Sequence, residues 1–237
     1  MSAATLLDER HERLPRGRGG LFYGVYVALV VDVKDPAGQG RVKVRLPWAP
    51  DPGGPRFETW ARIATLMAGN DRGSWFVPDP EDEVLVAFAG GDPRTPFVLG
   101  GLWNGSDAPP QQMDGAGRNY VKKLRSRNGV AITLDDTDGK EMLVLETPAG
   151  QKVTLQDGPA QIEVADSNGN TVTLNASGVT VQSSGVVTVQ GSSVTITAGS
   201  VAVNAGMSTF SGVVQAQSVI TPSVVGATYT PGAGNIW

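Results

Sequence analysis

From residue 167 to residue 237 the chain contains no Lys, Arg, Asp, Glu or His. A globular domain ordinarily carries about a quarter charged residues, spread over its surface. The charge-free segment is also repetitive, because short Val/Thr-rich runs recur every seven or eight residues at 179–181, 187–189, 194–196 and 201–203, with Ser/Gly-rich turns between them. This pattern predicts a rod of stacked β-repeats behind a normally charged head.

Repeats this short cannot bury their valines within one chain. Seven or eight residues are too few to close one turn of a wide β-solenoid, and an isolated hairpin is marginal in water. Stacked repeats form a core only where neighbours cover each face. Three copies wound together would each supply one wall of a narrow apolar prism. We therefore predict an intertwined homotrimer, with residues 130–225 in the prism core and a tail that is not stable as a monomer.

The first half of the chain predicts five strands, at 21–33, 41–46, 59–64, 75–78 continuing into 84–88, and 96–103. The first is a continuous apolar run, typical of a long, largely buried strand, whereas the second alternates as a half-exposed strand does. Residues 47–55 hold four prolines and are predicted to be a loop. Four of the five tryptophans fall in this half, which places the packed core here. Five strands with one long loop predict a small barrel of the OB type.

Bulk composition excludes several classes of protein. The net charge of −4 gives no general attraction to nucleic acid or to an anionic membrane, and the absence of cysteine excludes disulfides and thiolate metal sites. No run of 18 apolar residues exists, and residues 1–20 have mixed charges without an apolar h-region. We expect synthesis in the cytoplasm without a signal peptide.

A motif in the head points to a family. Residues 73–105 have the sequence G-S-W-F-V-P-D-P-E-D-E-V-L-V-A-F-A-G-G-D-P-R-T-P-F-V-L-G-G-L-W-N-G. This run resembles the OB-domain signature of the spike proteins of contractile injection machines, which include phage baseplate assembly protein V and the VgrG proteins of type VI secretion. The motif positions are Gly73, Trp75, Pro78, Glu83, Gly91, Asp92, Pro96 and Gly100. Segments at 24–26, 35–44, 126–136, 147–150 and 229–237 are similar to the same family.

The resemblance implies a layout and a role. We expect an N-terminal extension at 1–20, an OB-fold collar domain at 21–105, a neck linker at 106–128 and a trimeric β-helix needle with a C-terminal tip at 129–237. In this family the barrels form a trimeric collar under the tail tube, and the needle pierces the target envelope when the sheath contracts. The resemblance thus implies a structural spike, not an enzyme, assembled in the baseplate of a virion or contractile injection particle.

The resemblance also implies partners. Larger family members begin with a hub domain, but only residues 1–20 precede the predicted barrel, so a separate hub protein is expected. Some short members close the tip with iron held by an H-x-H motif. The single histidine here is His11, so no metal or cofactor is expected. A separate PAAR-type tip protein would then contact Asn235, Ile236 and Trp237.

Two other functions remain as alternatives. One is a trimeric adhesin or tail-fibre module that binds surface carbohydrate, although only Phe210 and Tyr229 precede Trp237 as aromatic residues in the repeats. The other is an OB-fold nucleic-acid binder that uses the basic patch Arg118, Lys122, Lys123, Arg125 and Arg127. We interpret this patch instead as a solvated neck or as a surface for acidic groups of a neighbouring subunit, because the stacking aromatics are predicted to be buried. No catalytic residue is predicted.

Overall fold

The computed structural model describes residues 20–49 and 56–228. The chain divides into two units, Met1–Gly185 and Val186–Trp237. The described part is all-β, as predicted, apart from one 3-10 turn at Ala89–Gly91, and it has no helix long and apolar enough to cross a membrane. In chain order its strands are β1 (Val25–Asp32), β2 (Val42–Leu46), β3 (Phe57–Ile63), β4 (Ala68–Gly69), β5 (Arg72–Gly73), β6 (Glu83–Phe88), β7 (Pro96–Gly101), β8 (Val121–Arg125), β9 (Ala131–Asp135), β10 (Met142–Glu146), β11 (Lys152–Gln156), β12 (Gln161–Ala165), β13 (Thr171–Asn175) and β14 (Gly178–Gln182).

Five strands close a barrel in the order β1-β2-β3-β7-β6, which confirms the predicted OB-like barrel. The β3–β7 pair is parallel and the other pairs are antiparallel. Alternate side chains of a strand point to opposite faces, so one set from each strand fills the interior. That interior is built mostly of fully buried β-branched residues, namely Val30, Val42, Val44, Val84 and Val86.

The packed core lies in this half of the chain, as predicted, but two details differ. The apolar run at 21–33 forms the shorter strand β1, and its outward side chains Val25 and Val27 are 56% and 40% exposed. Trp75 and Trp103, two of the four tryptophans that indicated the core, are 77% and 70% exposed. A five-stranded barrel has a narrow interior that valines fill, so its large rings lie outside the central core or at its end. Trp48 lies at that end, where it stacks on Tyr26 with ring centroids 4.7 Å apart.

The segment between β3 and β6 also differs from the prediction. Residues 75–78 are not a strand. Immediately before them lies a short hairpin, in which β4 and β5 pair around Asn70 and Asp71. This hairpin is separate from the barrel sheet. One more hydrogen bond extends it, because the backbone N–H of Ser74 donates to the Met67 carbonyl at 2.9 Å. Of the predicted loop at 47–55, residues 50–55 lie outside the described residues.

The remaining seven strands of the first unit form one antiparallel meander in chain order, β8 to β14. Each strand has five residues, as the repeat pattern predicts. The sheet begins inside the range predicted as a neck, because β8 pairs with β9. Two lysines of β8 meet acids of the same sheet: Lys122 contacts Asp136 at 2.8 Å and Lys123 contacts Glu146 at 3.4 Å.

The second unit is described from residue 186 to residue 228. All of these residues are exposed, and no strand forms among them within one chain. The predicted strands at 187–189, 194–196 and 201–203 are therefore not paired here. A β-strand needs a hydrogen-bonded neighbour, and these short runs have no partner strand within the described part of one chain. The N-terminal extension (except for Gly20) and the tip residues Asn235, Ile236 and Trp237 lie outside the described residues.

Candidate interface on the meander sheet

The pairing register of the meander places apolar side chains opposite one another across every strand. Because side chains alternate along a strand, residues paired in register share a face. One row across β9 to β14 consists of Leu134, Leu143, Leu155, Ile162, Leu174 and Val179. A second row, across β8 to β14, consists of Leu124, Ile132, Leu145, Val153, Val164, Val172 and Val181. These two rows form what we call the apolar face.

The apolar face is open in the single chain. Leu134 is 46% exposed, Val164 is 45% exposed and Val181 is 60% exposed, and the other ends of the rows are similarly uncovered. Isolated exposed apolar residues are ordinary, but a continuous sheet face of leucine, isoleucine and valine is typical of an interaction surface. This face is the part of the described chain best suited to contact another protein.

The opposite face of the same sheet is polar. Its central row contains Lys123, Thr133, Val144, Thr154, Glu163, Thr173 and Thr180. The residues of the sheet that are buried within one chain, Ala131, Val144 and Thr154, lie on this polar face and not on the apolar one. The sheet therefore has the two-sided character of an antiparallel sheet with one face in water, but its apolar side has no cover within the described part of the first unit.

Side chains in the turns hold the meander strands in register. Asp166 directly follows β12 and accepts hydrogen bonds from the backbone N–H groups of Asn168 and Asn170, both at 2.9 Å. Its other carboxylate oxygen accepts from the Asn170 side-chain amide at 2.7 Å. The Asn170 amide is the main cause that lowers the pKa of Asp166 to about 2, and the backbone N–H donors add to it. The last charged residue of the chain thus serves to fix a turn.

The eight motif positions lie in and around the barrel, where several shape its turns. Gly73 has φ +150°, and a Cβ there would lie 2.5 Å from the Met67 carbonyl oxygen. Gly91 has φ +82° and approaches the Tyr23 ring, so neither position accommodates a side chain without strain. Asp92 turns the chain from β6 to β7, and its pKa is lowered to about 2, mainly by the Arg94 guanidinium that donates to it.

The other motif positions fit the same structural role. Glu83 opens β6, and its backbone carbonyl accepts from Leu102 at 2.8 Å. Pro96 is buried at the start of β7 and Gly100 is exposed near its end. Pro78 is half-buried, and Trp75 is exposed beside the β4–β5 hairpin. These eight residues do not form one cluster, and their positions give no reason to assign them a chemical role.

Four of the five residues of the basic patch pair with acids of their own chain, and contact with acids of a neighbouring subunit stays a prediction. Besides the Lys122 and Lys123 pairs, Arg118 lies 3.7 Å from Asp114, and Arg127 lies 3.0 Å from Asp79 of the barrel. The prediction that the aromatic residues are buried is wrong, because Phe76, next to Trp75, is 72% exposed. The exposure of Trp75 and Phe76 was not predicted, because the apolar sequence W-F-V-P at 75–78 resembles a buried strand.

Comparison with known families identifies both parts of the chain. Residues 26–103 match the family model described as the type VI secretion system/phage-baseplate injector OB domain. Residues 141–209 match the model described as the phage baseplate V C-terminal trimerisation domain. The first match covers most of the closed barrel. The second covers the strands of the apolar face from β10 onward and continues into the second unit.

The similar curated proteins include type VI secretion spike proteins and a toxin. The type VI secretion system spike protein VgrG2a of Pseudomonas aeruginosa is 36% identical over 155 residues, which is 61% of this chain and 18% of that protein. VgrG1b of the same organism is 28% identical over 125 residues, 50% of this chain and 17% of that protein. The actin cross-linking toxin VgrG1 of Vibrio cholerae is 28% identical over 110 residues, 45% of this chain and 10% of that protein.

The chain spans less than a fifth of the length of these curated relatives. What the rest of each relative does is therefore not carried over. The two family models occupy separate ranges of this chain, in the same order as its barrel and its apolar sheet. Together with the barrel topology and the relatives, these matches show that the chain belongs to the phage baseplate V and VgrG family of injector spike proteins, with an OB domain followed by a C-terminal trimerisation domain.

Proposed function

We propose that this protein is the central spike of a contractile injection machine. It acts as a homotrimer in which three barrels form a collar and three tails wind into one needle that pierces the target envelope. The role is structural: the work comes from contraction of a sheath, and this chain transmits it. It operates in the baseplate of a virion or of an injection particle.

The apolar face carries this proposal. Burying apolar surface contributes about 25 cal/mol for each Å² removed from water, so two rows of Leu, Ile and Val are a large driving force for association. Three such faces turned toward one axis would form a dry prism core and leave the polar faces, with Thr154 and Glu163 in their central rows, toward water. The match of residues 141–209 to a trimerisation domain supports three as the number of copies.

The second unit is proposed to be the needle. Its described residues form no strand alone, although their Val and Ile triplets continue the repeat of β14. Copies in the trimer would provide the missing neighbours. A charge moved into hydrocarbon costs about 3 kcal/mol on insertion scales, and in a trimer each charge occurs three times at one height. Hydroxyl and amide side chains cost less, so a charge-free needle would enter a bilayer with less resistance.

Two further partners complete the proposal. A separate hub protein would join the collar to the six-fold tail tube, and a PAAR-type protein would cap the needle at Asn235, Ile236 and Trp237. These assignments rest on the family resemblance and on the order of the two domains. Co-purification of the full chain with tube, hub and tip proteins from intact particles would test them, and particles in which the spike end binds neither protein would contradict them.

The oligomeric state is the first test. Light scattering of the purified full chain should give three times its monomer mass of 24.7 kDa, and the trimer should resist SDS without heating. A well-folded monomer whose C-terminal half withstands protease would contradict the proposal. Retention of that monomer on single-stranded DNA at physiological salt would favour the nucleic-acid alternative.

The piercing role needs a second test with matched variants. Thr180 lies on the polar face of β14, and Thr188 lies in the next repeat. Particles that carry Thr180→Glu and Thr188→Glu should assemble normally but permeabilise target envelopes less than particles that carry Thr180→Gln and Thr188→Gln. The Glu and Gln side chains have nearly the same size and differ in charge. Equal permeabilisation by both would remove the desolvation argument.

A further inference from the structure

A cleft of about 1130 Å³ opens where the barrel meets the first turn of the meander. The ends of β3 and β7 and the residues beside the β4–β5 hairpin line its barrel side, and Arg125 and Arg127 line the other side. Three apolar side chains in it are uncovered within the described part of the chain: Leu66 is 99% exposed, Trp75 is 77% exposed and Phe76 is 72% exposed. Exposed apolar area of this kind, set in a concave surface, is suited to contact another molecule.

The strand β7 presents an unpaired edge to this cleft. The strand β3 pairs with β7 only as far as Val98, whereas β7 continues to Gly101. The Leu102 N–H donates to the Glu83 carbonyl of β6 at 2.8 Å, so in the alternating ladder the N–H and C=O of Gly101 point away from β6. No other described strand pairs with this side of residues 99–101, which we call the open edge. Such an edge is a ready template for another strand.

Two glycines lie at the open edge without a reason inside the described chain. Gly100 and Gly101 do not have the positive φ that favours glycine. A Cβ on Gly100 would have no neighbour within 4 Å, and a Cβ on Gly101 would meet only the Glu83 carbonyl oxygen, at 3.9 Å. The register shift between β6 and β7 falls at Leu99, before both glycines. Glycine inside a strand often marks a place where another backbone comes close.

One positive charge in the cleft has no partner of its own chain. The Arg127 guanidinium donates to the Asp79 carboxylate at 3.0 Å, and the Asp82 carboxylate accepts from the Asp79 backbone N–H at 2.8 Å. Arg125 forms no ion pair with any acid that the structure describes. The cleft therefore combines apolar side chains and an open strand edge with one arginine that a carboxylate can approach.

The cleft lies on the side of the meander that the proposed trimer leaves in water. Arg125 pairs with Ala131 on the polar face, whereas the preceding residue, Leu124, lies on the apolar face. Three apolar faces turned toward one axis would keep Arg125 outside the prism core. Winding of the tails thus does not require that the cleft be covered, so a further molecule can reach it.

We propose that an extended segment of a different protein adds to β7 at the open edge. Its backbone would continue the line of β3, its apolar side chains would pack on Trp75 and Phe76, and a carboxylate would meet Arg125. Main-chain hydrogen bonds supply affinity in this mode of recognition, and side-chain contacts supply specificity. The inference goes beyond the proposed function, because neither a collar nor a needle requires a bound segment, although the outward position of the cleft rests on the proposed trimer.

A synthetic peptide tests the open edge directly. Fluorescence anisotropy measures binding of a fluorescein-labelled peptide, S-V-T-V-T-V-D, to the purified full chain. Two versions that are N-methylated on alternate backbone nitrogens each block one edge of the peptide, and one of them should bind at least about tenfold more weakly, because it loses main-chain hydrogen bonds. A version that ends in Lys in place of Asp should bind about threefold more weakly, because Arg125 then meets a like charge.

Two substitutions at one position form the matched pair of variants. Gly101→Pro removes the N–H that points to the open edge, and proline is tolerated where an N–H has no ladder partner. Gly101→Ala keeps that N–H and adds a Cβ in uncrowded space. The proline variant should bind the peptide at least about tenfold more weakly, and the alanine variant within about twofold of the original chain. Arg125→Gln should remove the preference for Asp over Lys. Near-ultraviolet circular dichroism checks that each barrel is folded.

The results separate this proposal from the proposed function. A trimer that binds none of the peptides, or that binds them equally well after Gly101→Pro, overturns the added segment and leaves the spike standing. A monomer that binds the peptides in the expected order overturns the trimer and leaves the segment. Slow hydrogen exchange at residues 99–101 in the trimer before peptide is added would show that a neighbouring copy occupies the edge. Protection of these amides by a single-stranded oligonucleotide and not by the peptide would assign the cleft to nucleic acid. Either of these last results overturns the proposal.

Discussion

The barrel and the meander sheet are built from similar strands, yet only the barrel covers its apolar side chains within one chain. In both, side chains alternate between the two faces of each strand, and neighbouring strands keep the apolar ones in register. In the barrel the sheet closes on itself, so Val44 and Val86 are fully buried. In the meander the sheet stays open, so Leu134 and Val164 remain nearly half exposed. Closure, and not hydrophobic content, separates a self-sufficient domain from one that needs partners.

The same difference decides where charge can be placed. The barrel carries ion pairs on its outer surface, as between Arg45 and Glu58 at 3.0 Å, and the meander carries its last charge at Asp166. Beyond Asp166 the chain has no charged side chain. A domain that folds alone can spread charges over its outside, whereas a thin rod of three copies brings every charge into a ring of three. Charge ends within the meander, before its last two strands.

The largest effect should come from a charge on the apolar face. Leu174 pairs with Ile162 and Val179, and it is 39% exposed in the single chain. Leu174→Asp would place three carboxylates in the prism core, and desolvating an ion costs several kcal/mol even after relaxation. We expect complete loss of the trimer by light scattering, with the barrel still folded by near-ultraviolet circular dichroism.

The control for this variant is the next residue. Asn175 is exposed at the end of β13, and its side-chain oxygen accepts from the Ser177 N–H at 2.9 Å. Asn175→Asp keeps that acceptor and adds the same charge outside the apolar face, so the trimer should persist. If both variants are trimeric, the apolar face is not the interface. If both variants are monomeric, an added charge disrupts the trimer on either side of β13, and the apolar face has no special role.

A cavity in the barrel should have a smaller effect that does not depend on assembly. Val30 is fully buried, whereas Val25 of the same strand is 56% exposed. Val30→Ala removes two buried methyl groups and should lower the free energy of unfolding of the barrel by about 2 kcal/mol. Val25→Ala should change it by less than about 0.5 kcal/mol. Denaturation followed by tryptophan fluorescence measures both values.

Protein concentration distinguishes the two regions in the same experiment. The loss for Val30→Ala should be the same at every chain concentration, because the barrel core comes from one chain. The midpoint for the meander should rise with concentration, because its core comes from several chains. A barrel transition that shifts with concentration as strongly as the meander transition would show that the two regions are not independent, and the comparison would fail.

Much of this architecture could be predicted from the sequence. Five-residue strands and turns recur visibly from residue 130, and the alternation at 41–46 predicts β2 with its burial. The motif at 73–105 resembles a family signature, and backbone geometry requires glycine at two of its positions, Gly73 and Gly91. These features are local, so a window of a few residues contains the physical reason for each of them.

The errors concern contacts that are distant in sequence. The residues next to Trp75 and Trp103 in the sequence do not indicate that valines from other strands already fill the barrel. The strand β8 has the non-alternating sequence V-K-K-L-R, and its lysines are accommodated by Asp136 and Glu146 of other segments. The parallel pairing of β3 with β7 is likewise a property of the closed barrel. Long-range pairing decides burial, and a single sequence does not display it.

The link between the two regions should be weak. Arg127 and Asp79 join the meander to the barrel, and their side chains are 71% and 45% exposed. Exposed pairs of this kind contribute about 0.2–1 kcal/mol and are screened by salt. A double-mutant cycle with Arg127→Gln and Asp79→Asn should give a coupling energy in that range at low salt and less in 1 M NaCl. A larger coupling would mean that this pair is better shielded from water than its exposure indicates.

The smallest effects concern two turn carboxylates with similar pKa values and different causes. Asp92 of the barrel is held near 2 mainly by the exposed Arg94 guanidinium, whereas Asp166 of the meander is held near 2 by the neutral Asn170 amide and by backbone N–H groups. Each folded-state pKa lies below the ordinary value of 3.8. The stabilisation from each carboxylate is therefore complete above pH 3.8 and is lost as the pH falls through about 2.

Salt should distinguish the two turns. Asp92→Asn and Asp166→Asn should each lower the thermal midpoint of their own region slightly at pH 6, and both differences should vanish as the pH approaches 2. In 1 M NaCl the Asp92 difference should shrink, because the Arg94 charge is screened, while the Asp166 difference should persist, because neutral donors are not. If salt reduces both equally, the Asp166 turn also depends on charge. The barrel and the meander would then not differ in how their turns are stabilised.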